Sequence, residues 1–400
     1  PRPAKPPRPA PAAAAREPET PVVEKPPPSV TGRLTDTVAV RPQDLTAGAQ
    51  LAENIITQAQ KQGASDVHLH TGAPPLLRVH GELVALGDRA LDDELTTQVI
   101  ASLTNDAQWA TFTRCGELDF AIALRSGGRA RVNAYRQQRG PDVVLRLVGP
   151  RPPTLSELSL PDDLGNFIDN ATGMVLCTGP SGCGKSTTMA ALVALVAERR
   201  AGHVITIEDP IEYIFDSSAR SMINQRQLGD HTRSCARALR AALREDPDVI
   251  AITELRDRET IALAMTAAET GHLVLGTLHT GDAAQTINRI INAFPASQQS
   301  QIRTMLSESL RVVISQRLVA RRGGGRVPAL EVLVVNAAVA NMIRDGKTHQ
   351  LPSAMQVGRA HGMRVLDDSL ERLVAEQHID VEVARRFATK PERFGGGARS

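Results

Sequence analysis

Residues 179–186, GPSGCGKS, carry the most specific chemistry in the chain. They match G-x-x-x-x-G-K-[ST] throughout, between an apolar run that ends at Cys177 and a helical stretch over residues 185–198. Glycines at this spacing let successive backbone N–H groups turn inward around phosphate oxygens, and a helix N-terminus adds its positive end. Lys185 then reaches the β- and γ-phosphates, and the Ser186 hydroxyl contacts Mg2+. The reading assigns ATP to Gly179, Pro180, Ser181, Gly182, Cys183, Gly184, Lys185, Ser186 and Thr187. A chance glycine-rich turn competes poorly, because strand and helix flank the loop as the motif requires.

Three more apolar runs end in residues able to hold water or move protons. The run ITIEDPIEY places Glu208, Asp209 and Glu212 where a strand leaves its sheet. Carboxylates there could orient water or hold Mg2+ through its hydration shell. Asp209 followed by Pro210 also reads as a helix cap, which accounts less well for Glu212. The run DVIAITE ends at Glu254, expected beside the phosphate-loop strand, where an acid polarises the attacking water. HLVLGTLHT has His279 near its end and His272 at its start. His279 could sense the γ-phosphate or steer water, whereas His272 reads equally as a capping or packing residue. Upstream, Arg129, Arg131, Arg139 and Arg146 are candidates for an arginine lent by a neighbouring domain or subunit, against ordinary surface charge on strands.

The elements that position these groups follow from periodicity. From about residue 155 apolar strands alternate with longer helices, the pattern of a parallel α/β sheet, whose ligands bind beyond the carboxyl ends of the strands. Before that point the pattern differs. A helix over residues 51–59 precedes strand-like runs at 66–70, 76–86, 118–124, 130–137 and 143–148, with a second helix at 93–104. That is an α+β unit. The expected division is an arm at 1–47, an α+β domain at 48–149, a linker at 150–160, the ATPase domain at 161–390 and a tail at 391–400. The arm is so rich in Pro, Ala and charge that it cannot bury enough apolar surface to offset its ordering entropy, although PxxP stretches also serve as docking peptides.

Composition narrows the partners. With 46 basic and 44 acidic residues there is no electrostatic case for direct nucleic-acid binding. Cys115, Cys177, Cys183 and Cys235 form no CxxC pair and no zinc-ligand cluster, and scattered thiols fit a reducing compartment. No run approaches the ~18 apolar residues of a membrane span, and no apolar signal core opens the chain, so a cytoplasmic protein without a transmembrane segment is expected.

Taken together, these motifs resemble those of the secretion-superfamily ATPases and, within them, the type IV pilus retraction ATPase (PilT) family. The resemblance runs from residue 51 to about 394. It is carried by KQGASDVHLHTGAPPLLRVHGEL, by GPSGCGKSTT as Walker A, ITIEDPIEY as the Asp box, ALREDPDVIAITELRD as Walker B and ETGHLVLGTLHT as the His box. MLSESLRVVISQRLV, GGGRVPALEVL and AAVANMIRDGKTHQLPSAMQ extend it. The resemblance implies a PAS-like N-terminal domain packed on a RecA-like ATPase domain. It implies homo-hexamers with ATP between subunits, and domain rotations that retract a pilus for twitching motility. It implies Glu254 as the catalytic glutamate, Glu212 and His279 as Asp-box and His-box residues, and interdomain contacts by Arg131, Arg139 or Arg146. An inner-membrane platform protein, a peripheral position on that membrane and a paralogous ATPase partner follow from it too.

Three departures stand out. Cys183 occupies a small-residue position and would be oxidant-sensitive if exposed; Thr253 stands where glycine is usual; and Val339 or a neighbour replaces an arginine. A PilU-like accessory, or a type IV secretion or DNA-uptake ATPase, is the alternative. The absence of any cysteine after Cys235 disfavours the branches with a tetracysteine zinc module. A non-hydrolysing regulatory module is disfavoured because Lys185, Glu212, Glu254 and His279 are all present.

Overall fold

Alternating apolar and polar residues over the first hundred described positions build an antiparallel sheet covered on one face. Its strands are β1 (Asp66–Leu69), β2 (Leu76–Val79), β3 (Glu82–Ala85), β4 (Glu117–Ala123), β5 (Arg129–Gln137) and β6 (Gly140–Val148), in the order β3-β2-β1-β6-β5-β4. In β5, Ala130, Val132 and Ala134 are buried while Arg131 and Asn133 are exposed. The buried face meets α1 (Ala47–Lys61), α2 (Asp93–Leu103) and α3 (Asp106–Cys115) through Ile55, Val99, Ile100 and Phe112. The computed structural model describes residues 47–79, 81–169, 172–216 and 220–395. The expected arm therefore lies outside the described residues but for Ala47, as does the end of the expected tail.

Two expectations change here. The single run over residues 76–86 is a hairpin, with Leu76 opposite Ala85 and Val79 opposite Glu82; Gly81, at φ +95°, takes the left-handed turn between them. The sequence reading also lacks α3, whose mixed composition carries little helical periodicity. Its ends make the helix: Asn105 and Gln108 form a capping box, and Gly116 closes it in the left-handed conformation.

The second sheet holds β7 (Gly173–Thr178), β8 (Gly202–Glu208), β9 (Ser221–Gln227), β10 (Val249–Ile252), β11 (Leu273–Leu278), β12 (Leu310–Ala320) and β13 (Arg326–Val334), in the order β13-β12-β7-β11-β10-β8-β9. All neighbours pair parallel except β12 with β13. The central strands are apolar on both faces because both are covered. One face meets α4 (Lys185–Arg199) through Leu192, Val193 and Val196. The other meets α5 (Cys235–Ala242), α6 (Arg258–Glu269), α7 (Ala283–Asn292), α8 (Gln299–Ser309), α9 (Ala337–Arg344) and α10 (Leu351–Val357). At the β12–β13 end, α11 (Leu366–Ala375) and α12 (Val381–Phe387) close over Val319 and Val327. Val339, on α9, points into the core.

The four strands expected from the sequence, β7, β11, β10 and β8, are indeed contiguous, but their order corrects one detail. Glu254 follows β10, and β11 separates β10 from the phosphate-loop strand β7. The His279 strand is therefore the neighbour of the loop. Among the described residues no helix is long and apolar enough to cross a membrane.

Because α4 carries the loop and is anchored by Leu192, which is fully buried, Leu192→Ala is expected to cost about 2–5 kcal/mol of stability. Denaturant unfolding followed by circular dichroism measures it; a loss under about 1 kcal/mol would mean the site repacks freely.

Candidate nucleotide site

Three glycines shape the loop after β7, at φ +143° for Gly179, +75° for Gly182 and +91° for Gly184. Gly179 is also fixed by crowding, since a Cβ there would come within 2.3 Å of the Gln316 carbonyl oxygen. Gly184 is the N-cap of α4 and offers no side chain to its amides, which leaves the helix start for an anion. The Lys185 ammonium is buried across the loop, its Nζ donating to the carbonyls of Gly179 at 2.9 Å and Pro180 at 3.0 Å. Burial lowers its pKa.

From behind, β12 braces the loop. Gln316 Nε2 donates to the Cys183 carbonyl at 2.6 Å, and its Oε1 accepts from Thr188 Oγ1 at 2.8 Å. The Thr178 and Ser315 hydroxyls meet at 2.8 Å. Sequence reasoning singled out neither Gln316 nor Ser315; the available signal was the apolar run of β12 ending in Ser-Gln beside the loop. Cys183 is buried and burial pushes its thiol pKa up, which keeps it out of the reactive thiolate form expected of an exposed residue.

Glu254 is the hub on the opposite side of the loop. His279 Nδ1 lies 3.2 Å from Lys185 Nζ, and its Nε2 lies 3.3 Å from Glu254 Oε2. Lysine, histidine and glutamate from three elements thus form one chain of contacts. Arg256 Nε holds the same glutamate oxygen at 2.8 Å and reaches Asp209 at 3.6 Å. Arg256 escaped the sequence reading, although a cation two residues beyond a strand-tip acid was there to be noticed. Thr253 has a structural use: its N–H and hydroxyl donate to the Ile207 carbonyl at 3.0 and 3.2 Å, and the Thr253 carbonyl accepts from the Thr277 hydroxyl. The end of β10 is thereby fastened to β8 and β11.

A cavity of about 20 Å³, room for about one water, lies between α4 and the ends of β8 and β10. Ser186, Glu208, Glu212 and Thr253 line it together with Tyr213. Met189, Ala190, Val193, Phe215 and Ala251 make the rest of its wall largely apolar, with the Ser186 hydroxyl and the two carboxyl groups at its polar side. Burial raises the carboxyl pKa of Glu208, which accepts from Thr206 Oγ1 at 2.6 Å and Gln225 Nε2 at 2.9 Å. Burial also raises Glu212, and the guanidinium groups of Arg146 and Arg131 draw it back down. Asp209 caps no helix, because residues 209–216 run as a loop; it stays exposed beside Arg256.

The arginines separate. Arg131 pairs with Asp119, and Arg146 donates to Asp66 at 2.9 Å; both belong to the open face of the first sheet, within electrostatic range of Glu212. Arg129, which the resemblance did not favour, has a buried Nε with no hydrogen-bond partner among the described residues and feels Glu208 and Asp230. Arg139 lies in the β5–β6 turn over Gly72, at the other end of β5, and does not join them. His272 immediately precedes β11, with its Nδ1 2.9 Å from the Ala267 carbonyl near the end of α6, which is the packing reading.

Against known proteins, residues 43–390 match the model of the type II/IV secretion system protein family. The chain belongs to that family. It is 44% identical to the type IV pilus retraction ATPase PilT of Pseudomonas aeruginosa, over 85% of this chain and 98% of that protein. It is 46% identical to a twitching motility protein of Neisseria gonorrhoeae, over 80% and 85% of the two chains. The crystal structure of the pilus retraction motor PilT with bound ADP superposes with a TM-score of 0.77 at 41% identity, over 85% of this chain and 98% of that one. As a member of this family the chain is an ATPase.

Gly179→Ala places a Cβ against the Gln316 carbonyl in a strained conformation. It is expected to weaken ATP binding at least about tenfold, read by titration with a fluorescent nucleotide; unchanged affinity would mean the close approach does not set the loop. Glu331 accepts the Ala283 N–H at 2.8 Å, fixing the start of α7 just beyond His279, and burial raises its carboxyl pKa from 4.5 to about 7. The folded state then keeps a proton that the unfolded chain has lost. Stability from this group is present below pH 4.5 and lost as pH rises through about 7. Glu331→Gln should flatten that stretch of the thermal-unfolding profile; an unaltered profile assigns the dependence elsewhere.

Proposed function

We propose that this chain is a homo-hexameric motor ATPase that couples Mg-ATP hydrolysis to retraction of a type IV pilus, and so to twitching motility. The observation that carries the reading is the contact chain Lys185–His279–Glu254 at the mouth of a full phosphate loop, in a chain that is 44% identical to a pilus retraction ATPase over nearly that protein's whole length. We assign the ATPase domain to residues 161–390 and the α+β domain to 48–149, joined by a linker at 150–160.

Each residue has a task set by its position. Loop amides and Lys185 bind the phosphates, and ATP entry frees the Lys185 ammonium from the Gly179 and Pro180 carbonyls it now bridges. Mg2+ would be held by the Ser186 hydroxyl, with Glu208, Glu212 and Asp209 acting through its water shell, and it neutralises phosphate charge when bound. Glu254 orients the attacking water and takes its proton. Arg256 and His279 hold that carboxylate in place, and His279 joins it to the lysine at the phosphates. Arg131 and Arg146, on an open sheet face, supply cations to developing phosphate charge, as an arginine from a neighbouring unit does in phosphoryl transfer. A ring of six copies gives each site such a neighbour. The motor works in the cytoplasm against an inner-membrane platform protein.

Steady-state phosphate release by the purified chain tests the reading across protein concentrations. Turnover should rise cooperatively with concentration. Lys185→Ala should lose tight ATP binding, and Glu254→Gln should bind ATP yet lose at least ~10²-fold in turnover. A Glu254→Gln protein that hydrolyses at the native rate removes the glutamate from this role.

A further inference from the structure

The loop that carries Glu212 has no regular structure of its own, yet its backbone is held at several points by one strand. Strand β9 is the edge of the second sheet, parallel to β8, with Gln225 in register with Thr206 and Gln227 with Glu208. Gln225 engages both ends of its carboxamide. Oε1 accepts the Phe215 N–H at 3.0 Å, while Nε2 donates to the Tyr213 carbonyl at 2.8 Å and to Glu208 Oε1 at 2.9 Å. Two residues on, and so on the same face of the strand, Gln227 Oε1 accepts the Ile211 N–H at 3.0 Å. Glu208 in turn accepts the backbone N–H of Glu212. The Glu208 carboxyl and the 213–215 backbone therefore share the Gln225 carboxamide, and Glu208 passes that support to the Glu212 backbone N–H.

We infer that Gln225 is a positioning residue for ATP hydrolysis, which holds Glu208 and the Glu212 loop in the geometry the site uses; this rests on the proposed role of Glu212. The chemistry calls for a carboxamide. One group must donate twice, to a carboxylate and a carbonyl, and accept once from an N–H. A glutamate of the same shape would present an anion to Glu208 and to the Tyr213 carbonyl. A methionine of similar size would fill the space and leave the Glu208 carboxyl, the Tyr213 carbonyl and the Phe215 N–H short of partners in a half-buried site. None of the bonds Gln225 makes is to the phosphate loop, which is braced from β12; the loop meets this region through the side chains of Thr187 and Tyr213. Gln225 should thus act on turnover and not on nucleotide affinity.

The test uses the full chain with Gln225→Met, Gln225→Glu and Glu212→Gln beside wild type, measuring ATP binding by fluorescent-nucleotide titration and kcat and KM by phosphate release. Gln225→Met is expected to keep ATP affinity within about twofold while kcat falls about 10- to 100-fold, the scale of a misplaced catalytic group. Gln225→Glu should be lower still. It serves as the deciding variant if Gln225→Met melts early. If both isosteres turn over at the wild-type rate, or lose affinity with kcat intact, Gln225 only fills space and the inference is overturned. A fully active Glu212→Gln would instead sink the reading of Glu212 itself, whereas an inactive Glu212→Gln beside fully active Gln225 variants overturns the positioning role alone.

Discussion

A lysine ammonium withdrawn from water organises the ATPase half of this molecule. Lys185 is buried at the start of α4, and an ammonium there is costly unless it is answered. Two loop carbonyls and the His279 ring answer it, and through His279 the same contact reaches Glu254. The loop must therefore curl back over its own lysine, which requires backbone conformations that glycine adopts freely. It must also be stiff, and Gln316 supplies that stiffness by tying the Cys183 carbonyl to Thr188 across the loop. Phosphates can take the place of the carbonyl partners, so a resting arrangement of this kind is already shaped for its ligand.

Around that centre, acids are held by different means according to their surroundings. Glu254 lies beside two cationic or ionisable partners, Arg256 and His279. Glu208 lies deeper, where burial raises its carboxyl pKa, and hydrogen bonds from Thr206, Gln225 and the Glu212 amide work in the opposite direction. Glu212 is raised by burial and drawn down by arginines from the first sheet. Glu208 and Glu212 are thus both pushed up by burial and both answered, one by hydrogen bonds and the other by arginine charge.

The first sheet contributes charge, and its covered face decides where that charge goes. Helices α1, α2 and α3 occupy the apolar side, so every second residue of β5 and β6 is turned away from them. Arg131 and Arg146 stand directly opposite one another across those strands, a repulsive register. Asp119 and Asp66 offset it by pairing with each. From that face the two guanidinium groups lower the carboxyl pKa of Glu212 in the second half of the chain.

Much of this could be read from residue order alone, for local reasons. The phosphate loop is contiguous, so its glycines, lysine and serine are legible in eight residues. The buried parallel strands declare themselves as apolar runs, and the acids and histidine at their tips follow directly. What residue order leaves open is which strands become neighbours. Strand β11 enters between β7 and β10, which is why His279, and not Glu254, touches Lys185. The brace from Gln316 to Cys183 spans 133 residues, and Gln225 reaches back ten residues to Phe215 with no periodic signal to mark it. Arg129 and Arg131 look equivalent in sequence, yet burial and partners separate them. Local chemistry is written in consecutive residues because backbone conformation is local; the partners of a buried polar side chain are set by packing, and packing exists only once distant segments have met.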